Sequence, residues 1–414
     1  MKIRTKQPAR SIRRCGAVPE GMTVLSAFSG LGGLDLGLEA AGFQHVGCIE
    51  QDEIARRSLK ANRSDDWHLL DPGDITLLAK TLEPSTLGIK RRELSLVAGG
   101  PPCQPFSKAA QWSTAARVGL RDIRSHCLID FLTLVEVFLP KALLIENVSG
   151  FIQGEVSALG FIEERLRDIN RSEGTHYEIQ KLVVDAADYG VPQRRKRALL
   201  VACRDGEVFR WPKPTHVDGA VTAWDAIGDL QLEDEELPEL VGKWSALLPS
   251  IPEGQNYLWH TDRGGGEPIF GYRTRFWSFL LKLKKSESSW TLPAQPGPST
   301  GPFHWDNRPL AVRELLRLQS FPANWIVEGD HRSQVRQVGN ATPPLLAEVV
   351  GRALAKQLFG EHFQGQHLKY RIDLAGCTPA PRARRPVPQE FIRFVGDHAP
   401  HPGTGKGPKP RSSS

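Results

Sequence analysis

Residues 96–107 read LVAGGPPCQPFS, and the fold assignment starts from this stretch. Leu94, Leu96, Val97 and Ala98 make an apolar run suited to a buried strand, which Gly99 and Gly100 end. Pro101 and Pro102 each fix φ and lack an N–H, so they hold the following chain in a stiff, extended turn. Cys103 then falls at the carboxyl edge of a sheet, where open α/β folds bind ligands. A thiol on a rigid loop above such a crevice is positioned as a nucleophile. The alternative is a buried structural cysteine, since free cysteine is among the most buried residue types.

Upstream, Val24–Phe28 reads as a strand, Ser29–Gly33 as a glycine loop and Leu34–Ala41 as a helix. This unit resembles the nucleotide-binding opening of a doubly wound fold. A second strand, Val46–Ile49, ends on Glu50, about 20 residues past the loop, where such folds place an acid for ribose hydroxyls. A solvated strand-end carboxylate is the other reading. Helix Glu53–Asn62 follows, then Asp74-Ile75, an acid–apolar pair able to accept from an adenine amino group and pack its ring. Asp74 also suits the N-cap of a helix over Thr76–Lys80.

Downstream, Lys108–Arg124 has little periodicity and reads as a mobile loop. Helix Cys127–Phe138 leads to strand Ala142–Ile145, which delivers Glu146-Asn147-Val148 to the same sheet edge as Cys103. Helix Phe161–Ile169 and strand Gln180–Val184 precede DAADYGVPQRRKR, and Ala198–Cys203 closes the sheet. In an extended segment Gln193, Arg195 and Arg197 face one side. Three donors there suit phosphate or a pyrimidine carbonyl, although a solvated charge run is the bland reading of RRKR.

The chain has 414 residues, 40% hydrophobic and 24% charged, enough for two or three globular domains. Residues 1–20 read as a basic disordered arm and 21–205 as a catalytic domain. From 206 to 335 proline, glycine and tryptophan rise and basic and aromatic residues interleave, as in YRTRFWSFLLKLKK (Tyr272–Lys285), marking a second, irregular contact domain. Residues 336–375, with an amphipathic helix over Leu345–Leu358, return to the first domain. Residues 376–414 are rich in Pro, Arg, Gly and Ser and read as a disordered basic tail. No apolar run spans a membrane and no secretory signal opens the chain, so a cytoplasmic protein is expected. The six cysteines are scattered without a CxxC pair, which points to no metal site and no disulfide framework. The net charge of +6 permits a polyanion partner without requiring one.

AFSGLGGLD, GGPPCQPFS, ENV, QRRKR, RLQSFP and VGNATPP occur in the order found in DNA (cytosine-5)-methyltransferases, and over residues 22–360 the chain resembles that family. The resemblance implies a doubly wound, Rossmann-like α/β methyltransferase sheet with a smaller, irregular target-recognition domain. It implies S-adenosylmethionine as cofactor and cytosine in double-stranded DNA as substrate. Cys103 becomes the nucleophile, Glu146 the contact to cytosine N3, and Arg195 and Arg197 the cytosine and phosphate side of the pocket. Phe28, Gly30, Leu31, Gly33, Glu50, Asp74, Ile75, Pro102 and Asn340 fall to the cofactor, and Gln104, Ser107 and Gln193 to nucleic acid. A monomer of restriction–modification type with a cognate endonuclease is expected. The competing readings are a tRNA cytosine-5 methyltransferase and a non-catalytic DNA-binding regulator on the same fold.

Overall fold

Apolar residues alternate along each central strand, so a single sheet carries a core on both faces. The computed structural model describes residues 21–102, 126–153, 157–273 and 276–396. The arm at 1–20, the segment 103–125 and the end of the tail at 397–414 lie outside them. The first half runs β1 (Thr23–Ala27), α1 (Gly33–Ala40), β2 (Gln44–Ile49), α2 (Glu53–Arg63), α3 (Ile75–Thr81), β3 (Leu96–Gly99), α4 (His126–Phe138), β4 (Ala142–Val148) and α5 (Leu159–Glu173). The sheet is finished by β5 (Gln180–Asp185) and β7 (Lys196–Cys203), while the two-residue β6 (Gln193–Arg194) between them belongs to a separate two-stranded sheet.

Strand order is β2-β1-β3-β4-β7-β5. The strands β1 to β4 run parallel, and β7 is antiparallel to both its neighbours. The segment expected to close the sheet therefore inserts between β4 and β5 and leaves β5 at the edge. Val24, Cys48, Ala98, Leu144 and Val201 belong to the core on one face, while Leu25, Ile49, Val97, Ile145 and Leu200 belong to the core on the other. The second face is covered by α3, α4 and α5.

The first face is covered by α1 and by elements from far along the chain. These are α6 (Ala223–Ile227), which precedes the short β8 (Ser289–Trp290), then α7 (Val312–Leu318), α8 (His331–Asn340) and α9 (Pro344–Phe359). A Cβ on Gly37 would lie 2.3 Å from Ala347 Cβ and 2.5 Å from Glu348 N, so α1 and α9 approach backbone to backbone. Only glycine permits that separation.

The boundaries of the second domain differ from the expected 206–335. Phe209, Trp211 and α6 pack on the first domain, and so do Trp305, Phe321 and Trp325. The separate core is smaller: Leu247, Leu248, Ile251, Tyr257, Ile269, Leu280 and Phe303. The return to the first domain thus begins near 305, ahead of 336. The tail reading needs correction as well. Residues 376–396 are described and packed, with α10 (Gln389–Ile392) placing Phe391 in that second core at 3% exposure. Averaging over Pro, Arg and Gly hid the few apolar residues that anchor it.

Gly37→Ala should cost roughly 1–3 kcal/mol, the usual range for overpacking. Chemical denaturation measures it, and an unchanged midpoint would contradict the close α1–α9 contact.

Candidate active site

The parallel register fixes the site. Gly99, the last residue of β3, pairs with Ile145, and β4 continues to Val148 because β7 goes on pairing with it. Glu146 and Asn147 therefore stand past the end of β3, beside the loop that begins at Gly100. A Cβ on Gly100 would be 3.4 Å from Glu146 Oε2. Asn147 Nδ2 donates to Pro101 O at 2.8 Å, so the residue after Glu146 fastens the start of the loop. Pro102 is exposed at this edge. Cys103, Gln104 and Ser107 lie outside the described residues, with Cys103 next in the chain after Pro102.

Glu146 is 7% exposed. Arg197 Nε lies 2.8 Å from Glu146 Oε1 across the β4–β7 pair. The contact is ionic but misaligned for a hydrogen bond, and Oε1 has no donor. A buried carboxylate oxygen without a hydrogen-bond donor is free to accept one from a substrate.

Gln193 and Arg195 are placed otherwise than the sequence suggests. Both are buried, at 0% and 1% exposure, so neither offers a free face to nucleic acid. Arg195 Nη2 donates to Gly339 O at 2.8 Å and to Ala341 O at 2.9 Å. Gln193 Nε2 donates to Leu318 O and Gln319 Oε1, each at 3.2 Å. Gln319 Nε2 donates to Val338 O at 2.7 Å. Alternation does put the three side chains on one side, but that side is covered by α7 and α8. Burial pushes the Arg195 pKa well down, Arg197 adds to the shift, and Glu146 opposes it. Arg195 and Gln193 act as struts behind Arg197 and Glu146. The carbonyls that Arg195 grips flank Asn340, which is exposed.

At the other end of the edge, the loop after β1 turns sharply, with Phe28 at φ 59° and Gly30 at φ 54°. Glu50 fastens it: Oε2 accepts from Gly30 N and Oε1 from Asp52 N, each at 2.7 Å. Burial raises the Glu50 pKa, and the backbone donors partly offset it. Leu31 is buried, and its carbonyl accepts from Trp325 Nε1 at 3.1 Å. Gly33 meets Thr342 so closely that a Cβ would lie 2.0 Å from its carbonyl oxygen. Asp74 caps α3 by accepting from Thr76 N at 2.9 Å, and Ile75 is buried beside it. The cap reading of Asp74 holds.

One grouping has no signature in the sequence. Asp35, His45 and Cys48 bring donor atoms within 4.8 Å of one another, a set of the kind that can hold a metal ion. A β-bulge between the Val24 and Leu25 pairings puts His45 and Cys48 on one face of β2 although they are three apart. Asp35 Oδ1 accepts from Ser29 Oγ at 3.2 Å and from Cys48 Sγ at 3.8 Å, bracing the glycine loop from beneath. Burial, with Asp35 beside it, pushes the Cys48 thiol well up. The roles of Asn147, Gln319 and Trp325 were also missed, although ENV and RLQSFP contain the first two.

A doubly wound sheet with a glycine loop, an acid at the end of β2 and a buried carboxylate at the end of β4 defines a cofactor-dependent α/β enzyme. The profile of the C-5 cytosine-specific DNA methylase family matches residues 22–356, and the chain belongs to that family. It is 34% identical over 374 residues to the type II methyltransferase M.SacI of Streptomyces achromogenes, covering 81% of this chain and 93% of that one. It is 30% identical over 337 residues to M1.HphI of Haemophilus parahaemolyticus, covering 81% and 87%. Among solved structures, the Entamoeba histolytica methyltransferase EhMeth superposes with a TM-score of 0.53 at 16% identity, covering 82% of this chain and 99% of that one. The S. pombe Dnmt2 methyltransferase gives 0.51 at 19%, covering 82% and 100%. These two likenesses establish the fold. The activity is DNA cytosine-5 methylation, with S-adenosylmethionine as methyl donor. Among the described residues no helix is long and apolar enough to cross a membrane.

Arg195→Met should destabilise the protein by about 1–3 kcal/mol, because it leaves buried carbonyls without their donor. Urea unfolding tests this; a neutral effect would mean that Arg195 is no strut.

Proposed function

We propose that this enzyme is the modification methyltransferase of a restriction–modification pair, methylating carbon 5 of a cytosine rotated out of a specific duplex sequence. The observation that carries the mechanism is buried Glu146, ion-paired with Arg197 and lying beside the loop that leads into Cys103. That its relatives M.SacI and M1.HphI are type II methyltransferases supports the restriction–modification setting.

Inside a stacked duplex the faces of the cytosine ring are covered, so the base must leave the stack, at a cost of roughly a few kcal/mol. The Cys103 thiolate adds to C6, and the electron pair moves to C5. Protonated Glu146 donates to N3, stabilising charge that develops only as the sulfur adds. Arg197, paired with Glu146, carries positive charge toward the same pocket. C5 would take the methyl group that the cofactor supplies, and loss of the C5 proton to a base then breaks the C6–sulfur bond, releasing the Cys103 thiolate and restoring the ring double bond. The glycine loop, Glu50 and the Asp74-Ile75 pair fit an adenosyl group: acids for hydroxyl and amino donors, and an apolar side chain for the ring. When bound there, S-adenosylmethionine supplies an electrophilic methyl group. Phe28, Gly30, Leu31, Gly33, Pro102 and Asn340 form the remainder of that pocket in this reading. Gln104 and Ser107 meet the DNA, whose phosphates supply salt-dependent affinity.

Transfer of tritiated methyl groups to duplex DNA tests the reading. Wild-type protein should label DNA and leave tRNA unlabelled, and Cys103→Ser should abolish labelling while DNA binding persists. Labelling of tRNA alone, or an active Cys103→Ser enzyme, would overturn it. A second expectation concerns pH. Burial raises Glu50, so its proton is held to higher pH than the ordinary glutamate value of 4.5. Cofactor affinity should therefore weaken on acidification through a midpoint above 4.5, and Glu50→Gln should flatten that profile. Calorimetric titration across the acid range measures both.

A further inference from the structure

The second core is not closed by the residues between 244 and 303. Its central ring, Trp244, is stacked on Phe391 with centroids 5.6 Å apart at 25°, and Phe394 packs at 5.7 Å. Both partners come from the segment after residue 376, beyond the part of the chain that matches the family profile.

The path of that segment is fixed at several points. Ala375 N donates to Asp225 Oδ1 at 2.8 Å, on the first domain. Arg382 N donates to Glu253 Oε1 at 3.1 Å, and Arg382 Nε lies 2.9 Å from Asp306 Oδ1. Arg385 N donates to Pro249 O at 3.0 Å. Arg384 lies over the Trp259 ring, 5.0 Å from its centroid. Glu253 is paired with Lys285, their side chains 4% and 6% exposed, and the segment forms the roof over that pair. A buried ion pair keeps its geometry only while its surroundings stay packed. Between the segment and the module lies a cavity of ≈ 490 Å³, with Arg384, Arg385 and Val387 on one wall and Ser250, His260 and Glu267 on the other.

We propose that residues 376–396 are a working part of the module that meets DNA. They complete its core, run on from Ala375, which Asp225 anchors to the first domain, and hold its reading surface at a fixed position across the cleft. This rests on the reading of the second domain as the target-recognition domain.

The test compares the full chain, a chain ended after Ala375, and Phe391→Ala in the full chain. The readouts are cofactor affinity, KM and kcat with DNA, and hydrogen exchange over residues 247–257. The shortened chain should bind cofactor within about twofold of wild type, showing the first domain intact, while its KM for DNA rises about tenfold or more. Exchange over 247–257 should quicken in both variants, and Phe391→Ala should raise KM in the same direction with kcat little changed. Unaltered KM and exchange in the shortened chain would overturn the proposal. If the shortened chain does not fold, wild-type KM and exchange in Phe391→Ala do so. If the full chain methylates no DNA, the functional reading fails by itself, and exchange still decides whether the segment supports the second core.

Discussion

A fully buried guanidinium holds the molecule's working parts in register. Removing such a charge from water costs several kcal/mol unless hydrogen bonds replace the lost hydration. Arg195 meets that demand with two carbonyls from the far end of the chain, Gly339 and Ala341. Gln193 and Gln319 extend the network to the ends of α7 and α8. QRRKR, RLQSFP and VGNATPP are thereby joined in one buried polar cluster. Such a cluster tolerates little displacement, because each displaced donor leaves another group unpaired.

The rest of the site follows from that anchoring and from sheet register. With β7 tied down at its start, Arg197 sits opposite Val148 and reaches Glu146. With β3 ending one residue before Gly100, the proline turn starts against Glu146, and Asn147 holds Pro101. The glycine loop is built in the same manner, with Glu50 gripping its backbone from the next strand and the Ser29–Asp35 pair beneath it. Glu50, Glu146 and Arg197 each stand at a strand end and are steadied by a neighbouring element, the kind of support that precise positioning requires.

Much of this was legible in the sequence, because strand–glycine–helix punctuation and apolar alternation are local signals. Strands β1 to β4, the helices after them, the edge shared by Glu146 and the Cys103 loop, and the Asp74 cap all follow from residues close together. What was not legible depends on partners distant in the chain. Alternation correctly put Gln193, Arg195 and Arg197 on one side, but nothing local shows that α7 and α8 cover two of them. The insertion of β7 between β4 and β5 is a pairing choice, invisible in the strand's own composition. The second domain was drawn too large because its flanks share the proline and tryptophan content of its centre. The packed tail was hidden because Phe391 and Phe394 are diluted among polar residues. The Asp35–His45–Cys48 grouping depends on a bulge that no spacing rule anticipates.

The account stands on the sulfur of Cys103 bonding to carbon 6 of an extrahelical cytosine. Duplex DNA carrying 5-fluorocytosine at the methylated position tests that bond directly, since fluorine cannot leave as a proton and the sulfur stays attached. With S-adenosylmethionine present, mass spectrometry of the digested complex should find the nucleotide on the peptide that contains Cys103. No adduct there, under conditions in which ordinary DNA of the same sequence is methylated, would contradict the account.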